Sequence, residues 1–154
     1  MSRKHWTMLT VLGVAATVAG VFLIVKTSPA SATPTVTVYK SPTCGCCTKW
    51  VQYMRRRGYR VETHDVREMG AVKGENGIPG TLQSCHTAVV DGYVVEGHVP
   101  ADVIEQLLAE RPPAVGIAVP GMPEGSPGME GTRWERYDVL LFDRAGGARV
   151  YAQR

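Results

Sequence analysis

Three of the chain's four cysteines fall within four consecutive residues, Cys44-Gly45-Cys46-Cys47, and the fourth, Cys85, is followed directly by His86. Cys44 and Cys47 have the two-residue spacing of a redox dithiol, while Cys46 brings a third sulfur to the same turn. Farther along, Gly121-Met122-Pro123 and Gly128-Met129-Glu130 place two thioethers in one Gly/Pro-rich segment. Thiolates, thioethers and an imidazole form a soft donor set, which suits Cu(I) and is unsuited to calcium or magnesium. Zn(II) also accepts Cys₄ or Cys₃His in a closed tetrahedron and is the competing ion. Adjacent Cys46 and Cys47 point in different directions, so one mononuclear site would not easily use every thiolate. Bridging thiolates would let several copper ions share them. The predicted metal ligands are Cys44, Cys46, Cys47, Cys85 and His86, with Met122 and Met129 as either further ligands or hydrophobic plugs.

These residues need a scaffold, and the patterning predicts one. Residues 33–40 alternate β-branched and apolar types at period two, as a strand does, until Ser41-Pro42-Thr43 breaks the run. From Cys46 to Arg57 the residues Trp50, Val51, Tyr53 and Met54 recur at helical spacing, Arg55-Arg56-Arg57 crowd the last turn, and Gly58 stops it. The CxCC turn therefore opens a helix, where unpaired N–H groups and the helix dipole favour thiolates. Tyr59 to Val66 alternates again, and residues 67–80 read as a connection. Thr87 to Val90 and Tyr93 to Glu96 flank Asp91-Gly92 as a hairpin. A helix opened by Pro100 buries Val103, Ile104, Leu107 and Leu108. The order β-α-β-β-β-α is the plan of a thioredoxin-like α/β core, in which the segment entering the strand after the crossover lies beside the dithiol turn. Redox members carry a cis-proline there; this chain has Ser84-Cys85-His86-Thr87. Residues 112–132 hold five Pro and five Gly, which predicts neither helix nor continuous strand. Such a loop is too long to be an idle connector. A C-terminal hairpin, Tyr137 to Phe142 and Ala148 to Tyr151, closes the chain.

Charge and length bound the rest. Of 17 Lys+Arg, three (Arg3, Lys4, Lys26) lie in the first 32 residues, where no acid occurs, leaving a body with 14 basic and 14 acidic residues. That balance offers nothing to nucleic acid. The 154-residue chain has 44% hydrophobic and 20% charged residues, so its body suits one globular domain. Arg3 and Lys4 precede an apolar run from Trp6 to Val25, and Ala30-Ser31-Ala32 fits a small-x-small cleavage site. Residues 1–32 are expected to be a signal peptide or an uncleaved membrane anchor, with 33–154 as the metal-binding domain. Both place the body outside the cytoplasm, in the periplasm, and the membrane is touched only by the N-terminal segment if it stays uncleaved.

Four cysteines in an exported domain ordinarily suggest two structural disulfides. Three within four residues fit that framework poorly, although Cys44 and Cys47 are expected to bridge in the oxidised, metal-free form. His98 reads as either a ligand or a turn residue, and His64 as a polar residue at a strand end. Met54 and Met69 belong with core or surface, and Trp50 and Trp134 with packing.

Residues 35–132 resemble the CopG-type family of small secreted thioredoxin-fold proteins with a CxCC motif. The resemblance rests on Tyr39 to Cys47, Ser84-Cys85-His86-Thr87, Gly92 to Pro100 and Pro120 to Glu130. It implies cysteine-bridged copper sites on a thioredoxin scaffold and a role in copper redox chemistry. The expected function is extracytoplasmic copper binding in tolerance or delivery, with the Cys44/Cys47 pair able to support Cu(I)/Cu(II) interconversion. Copper ions, other periplasmic copper-handling proteins or an electron donor are the expected partners. The alternatives are a periplasmic thiol–disulfide oxidoreductase, disfavoured by the missing proline and the extra thiol Cys46, and a structural zinc module.

Overall fold

On strand β1 (Thr35–Lys40) the period-two pattern buries Val36 and Val38 completely. The computed structural model describes residues 34–154; the signal or anchor expected over residues 1–32 lies outside the described residues. Among the described residues no helix is long and apolar enough to cross a membrane.

Helix α1 (Gly45–Arg56) follows, with Cys44 as its N-cap. Cys47, Trp50, Val51 and Met54 form its buried stripe, the i, i+3, i+4, i+7 spacing of one helical face. Arg57 donates back to the carbonyls of Tyr53 and Met54, and Gly58 at φ +92° turns the chain into β2 (Arg60–Asp65). Strand β2 lies parallel to β1, with Val36 opposite Val61.

Residues 67–80, expected to be a plain connection, instead contain helix α2 (Met69–Glu75), followed by a 3₁₀ turn over Gly80–Leu82. The sequence conceals this helix because Gly70 and Gly74 interrupt it and Lys73 alone is buried, so no apolar stripe appears. Residues 83–85 stay outside the sheet. Strand β3 (His86–Val90) begins only at His86 and pairs antiparallel with β1. Asp91 and Gly92, both at positive φ, turn it into β4 (Tyr93–Glu96) as the hairpin signal predicts. Pro100 caps α3 (Ala101–Glu110).

The Gly/Pro stretch corrects a second expectation. Gly116–Ala118 forms a three-residue strand, β5, parallel to β4 and antiparallel to β6 (Asp138–Phe142). A Cβ on Gly116 would stand 1.9 Å from the Val94 carbonyl oxygen, so the glycine that reads as a strand breaker is what allows the pairing. Strand β7 (Ala148–Gln153) completes the predicted hairpin with β6 and extends one mixed sheet in the order β2-β1-β3-β4-β5-β6-β7. The main core gathers α1 and α3 on one face, including Trp50, Met54, Ile104, Leu107 and Val95. Val94, one residue away on β4, joins Ile78, Leu82 and Phe142 in a smaller core, as consecutive strand residues serve opposite faces. The architecture is the mixed α/β domain expected, with the CxCC turn at the C-terminal end of β1.

Candidate metal centre

Because Ser41-Pro42-Thr43 ends β1, the chain turns sharply and the Cys44 N–H donates to the Ser41 carbonyl at 3.1 Å. The Cys44 sulfur then caps α1, accepting from the Cys47 N–H at 3.3 Å. In the structure Cys44 and Cys47 are bridged, with Cα atoms 5.4 Å apart, and Cys46 and Cys85 are free thiols. Cys46 Sγ lies 3.5 Å from Cys44 Sγ. Cys85 arrives from the segment between the 3₁₀ turn and β3, and its carbonyl faces Cys47 Sγ at 3.8 Å. All four sulfurs fall within 4.8 Å of one another. The position inferred for Cys85, facing the dithiol turn, is the one it occupies.

Two imidazoles extend the sulfur cluster. His86 Nδ1 lies 3.4 Å from Cys85 Sγ, and His98 Nε2 lies 2.9 Å from it. Both rings are fully buried, and Cys85, His86 and His98 form a second group of donors within 4.8 Å. His98 Nδ1 contacts the Pro127 carbonyl at 2.7 Å, so it carries the proton and Nε2 presents a lone pair toward the cysteine. His86 Nε2 is buried and lacks any hydrogen-bond partner among the described residues. An orphaned imidazole nitrogen costs free energy in a closed core, and its retention beside thiols suits a ligand role. From its sequence context alone His98 reads equally as a ligand or a turn residue. The only hint was its position in an apolar run, Gly97-His98-Val99-Pro100, where a solvated turn would be more polar.

Burial governs the protonation of these groups. It pushes His86 well below the ordinary histidine range, assisted by His98 and the Lys73 charge. Burial also lowers His98, against hydrogen bonding to Pro127. The Cys85 thiol is pushed up to about 12, by burial first and by Cys46 second. The favourable setting expected of the helix start thus does not extend to Cys85. At neutral pH these shifts favour neutral imidazoles and a protonated Cys85, and a metal ion bound there would have to displace that proton. Stability follows from the same shifts. As pH falls below the unfolded histidine value of 6.5, the unfolded chain takes protons that the folded chain refuses. The metal-free protein should therefore keep this stability above pH 6.5 and lose it progressively below, and His98→Gln should flatten the fall. Melting temperatures from about pH 8 to pH 5 check this.

The loop after β5 folds over the CxCC turn, a direction its composition left open. Gly128, at φ +87°, is buried so closely that a Cβ would stand 2.8 Å from the Cys46 carbonyl oxygen and 2.9 Å from Trp50 N. The Gly128 N–H donates to Glu130 Oε1 at 2.9 Å, and Ser84 Oγ donates to the Gly121 carbonyl. Met122 and Met129 line a hollow of about 460 Å³ together with Cys46, Lys49 and Glu130. Met122 is 53% exposed, which is inconsistent with a hydrophobic plug, whereas Met129 is half-buried. Gly128→Ala should cost about 2 kcal/mol through backbone strain and contact with α1, read as a lower melting temperature, and should raise the alkylation rate of Cys46.

His64 stays apart, stacked on Tyr39 at a centroid distance of 5.3 Å. Trp50 is a buried packing residue whose Nε1–H donates to the Val99 carbonyl at 2.9 Å, and its ring lies 4.5 Å from that of His86. Trp134 is 68% exposed.

The fold and this thiol-imidazole cluster define a mixed α/β protein with a candidate metal centre beside a helix N-terminus. A family model described as a protein of unknown function, DUF411, matches residues 82–129, the span from the Cys85 segment to Met129. A solved structure described as "Copper resistance protein copG- Form 2" is 46% identical, with a TM-score of 0.75 over 79% of this chain and 98% of that chain. A second, "Copper resistance protein copG- Form 1", is also 46% identical, with a TM-score of 0.74 over 78% of this chain and 96% of that one. No curated protein matches the chain. The chain belongs to the family of CopG copper resistance proteins.

Proposed function

We propose that this protein binds copper in the service of copper resistance, as a domain exported to the periplasm or held facing it. The observation that carries the reading is the convergence of four cysteine sulfurs within 4.8 Å, with Cys85 shared by two buried imidazoles. Cys44, Cys46, Cys47 and Cys85 would hold Cu(I), with His86 and His98 in support. Two donor groups sharing one sulfur suit several copper ions bridged by thiolates better than a single ion. Family membership and the soft donors favour copper over zinc.

The Cys44–Cys47 bridge gives the site a redox reaction of its own. The open dithiol can pass one electron to each of two Cu(II) ions, yielding two Cu(I), one disulfide and two protons. Closing the bridge also withdraws two sulfurs from the ligand set, so oxidation and copper release are linked.

The reading is tested by loading the reduced protein with Cu(I) under anaerobic conditions against a competing Cu(I) chelator. Retention of copper in preference to zinc supports it. Retention of one zinc per chain, with copper surrendered to the chelator, overturns it in favour of a structural zinc module. Met122 and Met129 belong to the same test, since neutral thioethers favour Cu(I) without deprotonation. Replacing both with Leu should weaken Cu(I) retention by about tenfold, the scale of supporting ligands. Because Leu conserves volume, the metal-free melting temperature should barely move.

A further inference from the structure

Beneath the Cys85 segment lies a buried ion pair that the copper chemistry above does not use. Lys73 on α2 is 5% exposed and Glu96 at the end of β4 is fully buried. The Glu96 carboxylate accepts three donors. Oε1 takes the Lys73 ammonium and, at 2.6 Å, the Ser84 N–H; Oε2 takes the Thr87 hydroxyl at 2.7 Å. Lys73 Nζ also donates to Thr87 Oγ1 at 3.3 Å.

Ser84 and Thr87 are the immediate flanks of Cys85-His86. Ser84 belongs to no strand, so its N–H is held by a side chain and not by the sheet ladder. Two residues beyond Glu96 the chain delivers His98 to the same cysteine. One carboxylate therefore ties α2, β3, β4 and the Cys85 segment together at the point where they supply donors. A buried ion pair is weak evidence for stability, because well-packed apolar residues often serve as well. Its placement on both sides of one cysteine calls for another reason.

We propose that the Lys73–Glu96 pair is a positioning device for Cys85: it fixes the cysteine against the CxCC turn, so that the distant thiol joins the copper site. The proposal rests on the copper reading for its functional consequence, while its geometric part stands without metal. Metal and binding sites need their side chains held within about 0.5 Å by supporting contacts, and no sheet pairing performs that task for Ser84 or Cys85.

Two double variants separate positioning from packing. Lys73→Met with Glu96→Leu removes the acceptor of the Ser84 N–H without leaving a charge unpaired. Lys73→Met with Glu96→Gln keeps an amide oxygen for that N–H. In the reduced, metal-free protein, the rate at which iodoacetamide alkylates Cys85 relative to Cys46 should rise about tenfold in the Leu pair and stay near wild type in the Gln pair. In competition with a Cu(I) chelator, the Leu pair should lose about tenfold in retention, the effect of an outer-shell partner, and the Gln pair should be rescued.

A folded Leu pair, with wild-type melting and circular dichroism, whose Cys85 reactivity and copper retention are unchanged would overturn the proposal. If Cys85 reactivity rises but copper retention proves independent of Cys85 even in wild type, positioning stands and the copper reading fails. Should the Leu pair not fold, Thr87→Val carries the test by the same readouts, with a loss of about threefold expected from one of the three donors; no change in Cys85 reactivity there would overturn it.

Discussion

Cys85→Ser should weaken Cu(I) retention by about 100-fold or more, as severely as Cys46→Ser within the CxCC turn, because loss of a full ligand must exceed the roughly 10- to 100-fold cost of losing an outer-shell partner. Cys85 is the sulfur common to both donor groups, within 4.8 Å of the other three cysteines and in contact with His86 and His98. Its removal therefore disconnects the imidazoles from the thiol cluster. Serine is nearly isosteric, so the metal-free fold should melt within a few degrees of wild type, and a change in retention reports the site itself. Unchanged retention in a chelator competition would show that the distant cysteine is not a ligand.

The second large effect concerns the bridge. With Cys44 and Cys47 joined, two of the four sulfurs can no longer act as thiolates, and Cys46 and Cys85 are the remaining thiols among the described residues. Oxidised protein should therefore hold Cu(I) at least about 100-fold more weakly than protein whose bridge has been opened, by the same ligand-loss argument. Opening the bridge with a phosphine reductant, followed by chelator competition without oxygen, gives the comparison. Equal retention in both states would mean that the Cys44/Cys47 pair is structural and stands outside the copper site. Binding should also release protons, since the Cys85 thiol is held protonated in the metal-free state, so retention should strengthen as pH rises.

Much of the scaffold was legible because its signals are local. The alternation in β1, the helical spacing of Trp50, Val51 and Met54, and the Asp91-Gly92 turn each depend on near neighbours, and each lies where the pattern placed it, while Tyr53 sits at the half-buried edge of that stripe and Cys47 joins it. Helix α2 and strand β5 were missed for the opposite reason. Gly70, Gly74 and Gly116 oppose regular structure intrinsically, and tertiary contacts overrode them, most plainly where the Val94 carbonyl leaves room for nothing larger than glycine.

The site divides in the same way. The CxCC turn could be read as chemistry because its cysteines are adjacent in sequence. Cys85 could be placed by topology, since the segment preceding β3 must pass the end of β1. His98 could not be assigned, because its tautomer and orientation are fixed by a partner 29 residues away, the Pro127 carbonyl. Lys73 and Glu96 were invisible for a related reason: a charged residue in a connection and another at a strand end ordinarily face water, and only the assembled fold buries both.

The measurement that bears most directly on the shared cysteine site is a paired count, on one sample, of copper and of thiols that remain open to alkylation. The reduced protein is loaded with Cu(I) without oxygen, freed of loosely held metal by a chelator column, and divided for metal analysis and mass spectrometry after alkylation. More than one copper per chain, with Cys44, Cys46, Cys47 and Cys85 all protected, is the predicted result. One metal ion per chain with Cys85 and Cys46 both freely alkylated would contradict it.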